Sequence, residues 1–160
     1  MRHRWFPAGT VLALVFGLAP AAEGSAPGRV VDIAISNFRF CSAAPCQPQD
    51  QAYVRAGNGN VAGTDNPPAF IEVHPGDTVV WTYQDGTCDQ LTVDPRRCPG
   101  HEVVFEPQGK VGFLPARRGK VAVSWRVPDD AVAGHVLRYY CDLDEHWAVG
   151  LTGGLRVAGS

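Results

Sequence analysis

A thiol, an imidazole and an aliphatic side chain stand at equal spacing near the C-terminus. Cys141, His146 and Leu151 follow the pattern C-x4-H-x4-L. A thiolate is a soft metal ligand and an imidazole is a borderline one, so the two on one short loop provide half of a copper or zinc site. The other half requires a second imidazole and a Cys141 that no disulfide consumes.

The chain contains five cysteines, and their spacing leaves Cys141 as the odd one. Cys41 and Cys46 flank four residues, and Cys88 and Cys98 flank nine. Local pairing into Cys41–Cys46 and Cys88–Cys98 is the simplest of the three connectivities that four cysteines allow. Such bridges persist in oxidising compartments, where a free thiol is a liability unless something such as a metal protects it. We therefore expect two disulfides and an unpaired Cys141.

Residues 1–22 have the features of a signal peptide. A basic start with Arg2 and Arg4 precedes the apolar run 11–18 and the small residues 19–21. The run is shorter than the about 20 residues that a membrane-spanning helix needs. We expect cleavage and export to the periplasm or the extracellular space, and the alternative is a leader that is retained as a membrane anchor.

Beyond the signal peptide, length and charge indicate one acidic domain at 29–158. About 135 residues are enough for a single hydrophobic core. Without Arg2 and Arg4, 12 basic residues stand against 16 acidic ones, a formal charge of −4. No basic run or patch indicates binding to nucleic acid. We expect a monomer.

Alternating apolar and polar residues predict short β-strands along the whole domain. No segment of helical period interrupts them, and seven or eight strands joined by turns indicate an antiparallel sandwich or barrel. Two segments rich in turn-forming residues, 41–68 and 87–98, are interpreted as insertions. The predicted strands are 30–40, 69–73, 78–83, 102–105, 110–114, 121–127, 136–140 and 151–157.

One histidine is placed where a rigid scaffold could present a ligand. His101 stands at the start of a predicted strand whose apolar residues alternate, His101-Glu-Val-Val-Phe105. His74 lies in a Pro-Gly turn, and His135 precedes a strand beside Gly134. We interpret both of these as exposed histidines without a metal.

Four segments of the domain carry a resemblance to one family: 37–40 (NFRF), 73–81 (VHPGDTVVW), 101–105 (HEVVF) and 140–157. They resemble the cupredoxins, the small blue-copper electron carriers that include the plastocyanins and rusticyanin. The C-terminal block resembles the family's Y-x-C-type ligand loop followed by G-M-x-G-x-(I/L)-x-V, and 101–105 resembles its H-x-V-x-F segment. The resemblance implies a Greek-key β-sandwich or barrel of seven to eight antiparallel strands.

The same resemblance implies a single type 1 copper ion. Its ligands would be His101, Cys141 and His146, and Leu151 would take the place of the family's axial methionine. A leucine cannot coordinate, and Met1 is the only methionine in the chain. A weak or absent axial ligand tunes the reduction potential of such a site, so we expect a higher potential than a methionine variant would have. Glu102 replaces an asparagine that ties the ligand loops together in plastocyanins, so that link is not expected here.

The function that follows is transfer of single electrons between redox proteins. A cytochrome or an oxidase or reductase would be the partner, docking near the second-loop histidine. Trp147 and its apolar neighbours would form a rim there, and acidic residues of the same loop could steer a basic partner. These acidic residues are Asp142, Asp144 and Glu145.

Two alternatives come from other classes of protein. Multicopper oxidases have ligand loops of this spacing, but there histidines flank the cysteine and pass electrons to a trinuclear cluster. Here Tyr140 and Asp142 flank Cys141, and the chain contains no His-x-His pair, so we expect no enzyme activity. The other alternative is a periplasmic copper-binding protein that delivers or sequesters copper without redox turnover.

Overall fold

The computed structural model describes residues 28–58, 61, 63, 65–84, 100–115 and 121–159. The predicted signal peptide and the predicted Cys88–Cys98 bridge lie outside these ranges, and both stay predictions. Within the described ranges, no helix has the length and apolar character required to cross a membrane.

The described part of the chain forms nine strands and three short 3-10 segments. The 3-10 segments are Pro48–Asp50, Pro67–Ala69 and Leu143–Val149. The strands are β1 (Val30–Ser36), β2 (Arg39–Cys41), β3 (Phe70–Val73), β4 (Thr78–Tyr83), β5 (Gly100–Glu106), β6 (Gly109–Pro115), β7 (Ala122–Arg126), β8 (Val136–Tyr140) and β9 (Thr152–Val157).

These strands form the predicted Greek-key β-sandwich, but two pairs of neighbouring strands are parallel where all were predicted to be antiparallel. One sheet has the order β2-β1-β4-β7 and the other has the order β3-β9-β8-β5-β6. Most neighbours are antiparallel, as predicted, but β1 pairs with β4 and β3 pairs with β9 in parallel. Both sheets are therefore mixed. Parallel pairs join strands that are distant in sequence, so local alternation carries no signal for them.

The number of strands exceeds the predicted seven to eight because the first predicted strand is really two. A two-residue turn at Asn37 and Phe38 folds β2 back onto β1, with Ser36 opposite Arg39. Both turn residues have positive φ, the conformation that tight hairpins require. The apolar residues before and after the turn fall on opposite phases of the alternation, and reading 30–40 as one strand overlooks this one-residue shift.

Aromatic rings from both sheets meet in the core. Trp81 of β4 is completely buried, and its ring centroid lies 5.9 Å from Phe105 and 5.3 Å from Tyr139. Phe40 packs edge-on against Tyr139 at 4.8 Å. Burial of each such side chain contributes about 1.5–3 kcal/mol. This packing holds the ends of β5 and β8, where the predicted ligands stand, in a fixed relation.

The predicted insertion 41–68 packs against the second sheet. It begins with the Cys41–Cys46 disulfide, as predicted. Tyr53 is 1% exposed, and its hydroxyl donates to the carbonyl of Tyr139 at 3.3 Å. The Thr152 hydroxyl donates to the carbonyl of Tyr53 at 2.6 Å. The insertion therefore covers the face of β8 and β9 that points away from the core.

Candidate metal centre

His101, Cys141 and His146 come together at one end of the sandwich. His101 is the second residue of β5, and Cys141 directly follows β8, which is the neighbouring strand in the sheet. His146 lies in the 3-10 segment between β8 and β9. Gly100 has φ +122, and a Cβ there would lie 2.0 Å from the carbonyl oxygen of Leu114. The glycine is thus required for β5 to start beside β6 and present His101.

The three side chains place their donor atoms at the spacing of one metal ion. Nδ1 of His101 lies 3.2 Å from Nδ1 of His146. Sγ of Cys141 lies 3.9 Å from Nδ1 of His101 and 3.4 Å from Nδ1 of His146. Metal bonds of about 2.0 Å to nitrogen and 2.3 Å to sulfur, arranged in a trigonal plane, give separations of about 3.5 Å and 3.7 Å. Each observed distance lies within about 0.3 Å of these values.

The chemistry of the donors suits copper. Sulfur and imidazole nitrogen in a near-trigonal set are ligands for either oxidation state of copper. Cys141 is the free cysteine among the described residues, and the thiol is completely buried. The donor set therefore fits a copper ion held by His101, Cys141 and His146.

Burial controls the protonation of the metal-free site. It raises the pKa of the Cys141 thiol to about 11, although the backbone N–H of Glu102, 3.2 Å from the sulfur, opposes the rise. Burial also lowers the pKa of His146, and the charge of Asp144 opposes that change. At neutral pH the thiol is therefore protonated, and a metal that binds the thiolate must displace its proton.

Backbone hydrogen bonds tie the ligand loop to Leu151. The N–H of Cys141 donates to the carbonyl of Leu151, and the N–H of Leu151 donates to the carbonyl of His146, both at 3.1 Å. The N–H of Trp147 donates to the carbonyl of Cys141 at 3.1 Å. Leu151 is completely buried. The loop is thereby closed on itself, and backbone hydrogen bonds hold both of its candidate ligand residues.

Glu102 directly follows His101, whereas His74 and His135 are the histidines expected to bind no metal. Glu102 does not join the ligand loops through its side chain; its carboxylate accepts a hydrogen bond from Lys110 at 2.5 Å. His74 and His135 lie outside the cluster of possible ligands. His74 is partly exposed, and His135 is exposed.

The loop residues predicted to meet a partner differ in exposure. The acidic residues Asp142, Asp144 and Glu145 are exposed. Ala148 and Val149 are also exposed, and the exposed fraction of Val149 is 58%. Trp147 is only partly exposed. Its ring lies 5.2 Å from the guanidinium carbon of Arg55, a residue of the insertion.

Arg55 is a residue of the site's surroundings that sequence reasoning did not assign. Its guanidinium lies 4.0 Å from the ring centroid of Tyr140, the residue before Cys141. It also donates to the carboxylate of Glu106 at 2.9 Å. Arg55 thus lies close to Tyr140 and Trp147, which flank the candidate ligands Cys141 and His146. Such a contact between distant segments leaves no trace in residue spacing.

We expect replacement of Arg55 by alanine to lower the free energy of unfolding by about 2–3 kcal/mol. A charge-assisted hydrogen bond contributes about 1.5–3 kcal/mol, and a cation–π contact adds about 0.5–1 kcal/mol. The variant Arg55→Lys should recover less than half of the lost free energy of unfolding, because an ammonium cannot replace the planar guanidinium on both rings. Urea denaturation followed by tryptophan fluorescence measures these losses.

The matched control for Arg55 is Arg126→Ala. Arg126 forms an exposed ion pair with Asp129 at 2.6 Å, with both side chains more than half exposed. Its loss should cost about 0.5 kcal/mol or less. Equal losses for the Arg55 and Arg126 variants would show that Arg55 gives no special support to the site.

Comparison with known proteins gives matches to solved structures alone. No protein-family model matches the chain, and no curated protein does. A reduced Cu(I) form of an amicyanin variant is 19% identical, covering 86% of each chain, with a TM-score of 0.41. Rusticyanin from Thiobacillus ferrooxidans is 17% identical over 81% of this chain and 78% of its own, with a TM-score of 0.37. Auracyanin B is 13% identical over 85% and 93%, with a TM-score of 0.41.

Proposed function

We propose that this protein binds one type 1 copper ion and carries single electrons between redox proteins after export from the cytoplasm. The observation that supports this most is the convergence of one thiol and two imidazoles within 3.9 Å of one another. Copper, when bound there, supplies a one-electron couple. The chain's own part is to hold the donor atoms, exclude water and present one edge to a partner.

The rigidity of the site suits a carrier. An electron moves quickly only if the ligands change little between the two oxidation states, so the protein must impose their positions. His101 lies in a paired strand, and Cys141 and His146 are fixed through the backbone bonds to Leu151 and Trp147. The sulfur of Cys141 also accepts a hydrogen bond from the backbone N–H of Glu102, and this hydrogen bond withdraws charge from the sulfur.

We assign the axial position to Leu151. The backbone of Leu151 is hydrogen-bonded to Cys141 and His146, and its side chain is completely buried. A hydrocarbon side chain offers no lone pair to copper. Cu(II) gains more than Cu(I) from an additional donor, so its absence should raise the reduction potential.

The exposed part of the ligand loop is the proposed docking surface. His146 is the less buried of the two histidines, and Ala148 and Val149 beside it are exposed. An apolar patch around a ligand allows close approach of a partner such as a cytochrome, an oxidase or a reductase. The exposed acidic residues nearby would steer a basic partner at low salt. They are Asp142, Asp144 and Glu145.

The second candidate is copper delivery or storage without redox turnover. The completely buried thiol argues against rapid transfer of the metal to another protein. Cyclic voltammetry of the copper-loaded protein separates the two functions. A carrier gives a reversible one-electron wave and reduces or oxidises a soluble cytochrome in stopped-flow mixing. A redox-silent protein that transfers copper to a chelator within seconds would contradict the proposal.

A further inference from the structure

The turn between β1 and β2 places an aromatic residue in a conformation that disfavours it. Asn37 has φ 51° and Phe38 has φ 53°. Two-residue hairpins with two positive φ values prefer Asn-Gly, because glycine adopts this conformation without a steric penalty. Asn37 fits this preference, but Phe38 does not. A strained backbone of this kind persists only where the surrounding structure enforces it, and such strain is concentrated at functional sites.

The strained conformation brings the Phe38 ring to both histidines of the metal centre. Its centroid lies 5.2 Å from the ring of His146 and 5.9 Å from that of His101, edge to face in both cases. Tyr83 also packs near His101, at 5.3 Å. Phe38 is partly exposed and packs against both imidazoles.

The turn is fastened on both sides. The Asn37 side-chain amide donates to the carbonyl of Cys46 at 3.1 Å, within the small disulfide-closed loop. Arg39 Nη1 donates to the carbonyl of Phe38 at 2.7 Å and to that of Val149 at 2.6 Å. Arg39 thus joins the turn directly to the ligand loop.

The following residue of the ligand loop is adapted to this link. Gly150 has φ +105, and a Cβ there would lie 2.4 Å from Nη1 of Arg39. The guanidinium can reach the Val149 carbonyl only because position 150 has no side chain. The two segments are therefore shaped for each other, and the position of Phe38 over the histidines is a result of that fit.

We propose that Phe38 is a positioning residue of the metal centre, which fixes the planes of His101 and His146 and closes the path of solvent to Cys141. This proposal deepens the proposed function and rests on it for the role of copper. A purely structural turn would be served better by glycine. The contacts of the ring account for a phenylalanine at this strained position, because removal of the ring would leave two imidazoles open on their solvent side.

The variant Phe38→Gly tests this inference, and Phe38→Tyr is its matched control. Glycine keeps the positive-φ turn and removes the ring, whereas tyrosine keeps the ring and the strain. In the metal-free protein, iodoacetamide alkylation of Cys141, followed by peptide mass spectrometry, should be at least about tenfold faster for the glycine variant. The tyrosine variant should react at the wild-type rate.

The copper-loaded proteins provide an independent readout. The Cu(II) electron paramagnetic resonance spectrum and the visible absorption should shift in Phe38→Gly and stay unchanged in Phe38→Tyr. Wild-type alkylation rates and spectra in the glycine variant would overturn the role assigned to Phe38. The alkylation experiment needs no copper and therefore tests the role of Phe38 independently of the proposed function. Failure of the wild-type protein to transfer electrons would refute the proposed function, and the alkylation rates would still decide whether Phe38 shields Cys141.

Discussion

Replacing Cys141 by serine should weaken Cu(II) binding by more than about 100-fold and abolish the intense visible absorption of a copper–thiolate bond. Loss of an outer hydrogen-bond partner alone costs about 10–100-fold in metal affinity, and a direct ligand contributes more. Serine is close in size to cysteine, and Cys141 takes part in no described disulfide. The metal-free fold should therefore remain intact. Competition titration with a chelator and absorption spectroscopy measure the two effects.

The control for Cys141→Ser is His135→Gln, because His135 is exposed and lies outside the candidate ligand cluster. The copper affinity and the colour of the His135→Gln variant should equal those of the wild-type protein. A Cys141→Ser variant that keeps its visible absorption would show that the sulfur is not a copper ligand. Equal losses in the two variants would indicate a general loss of folding instead.

The second large effect is expected from Leu151→Met. A thioether at the axial position should bind Cu(II) more strongly than Cu(I) and lower the reduction potential. We expect a fall of at least about 60 mV, which corresponds to a tenfold change in the one-electron equilibrium. The two side chains are similar in volume, so the exchange should cost less than about 1.5 kcal/mol. Protein-film voltammetry measures the potential directly.

Leu155→Met is the matched control for Leu151→Met. Leu155 is also completely buried, but it lies four residues further along the chain, inside β9. Its exchange should leave the potential unchanged within about 10 mV, because the sulfur would be remote from the site. A potential that fails to fall in Leu151→Met would count against Leu151 as the axial residue.

The strands and two of the three clustered side chains could be predicted from sequence because both depend on regular spacing. Alternation located β4 and β8, and the C-x4-H-x4-L pattern placed Cys141 and His146 on one loop. His101 was selected through its position at the start of a strand together with the family resemblance. The structure brings these three side chains together. Copper coordination itself, and the axial position of Leu151, remain predictions.

The surroundings of the site could not be predicted because they depend on contacts between distant segments. Phe38 is 63 positions from His101 and 108 from His146, yet its ring packs against both. Arg55 reaches Tyr140 and Trp147 from an insertion that sequence patterns described only as rich in turns. Propensity describes local backbone preference, whereas these contacts follow from how the two sheets and the insertion pack.

The most direct test is an anomalous-difference map at the copper absorption edge from crystals of the copper-loaded protein. We expect one strong peak within bonding distance of Nδ1 of His101, Sγ of Cys141 and Nδ1 of His146. The closest atoms of Leu151 should lie beyond bonding distance. A peak at another position, or none among these three donors in a protein that binds copper in solution, would contradict the assignment of the metal centre.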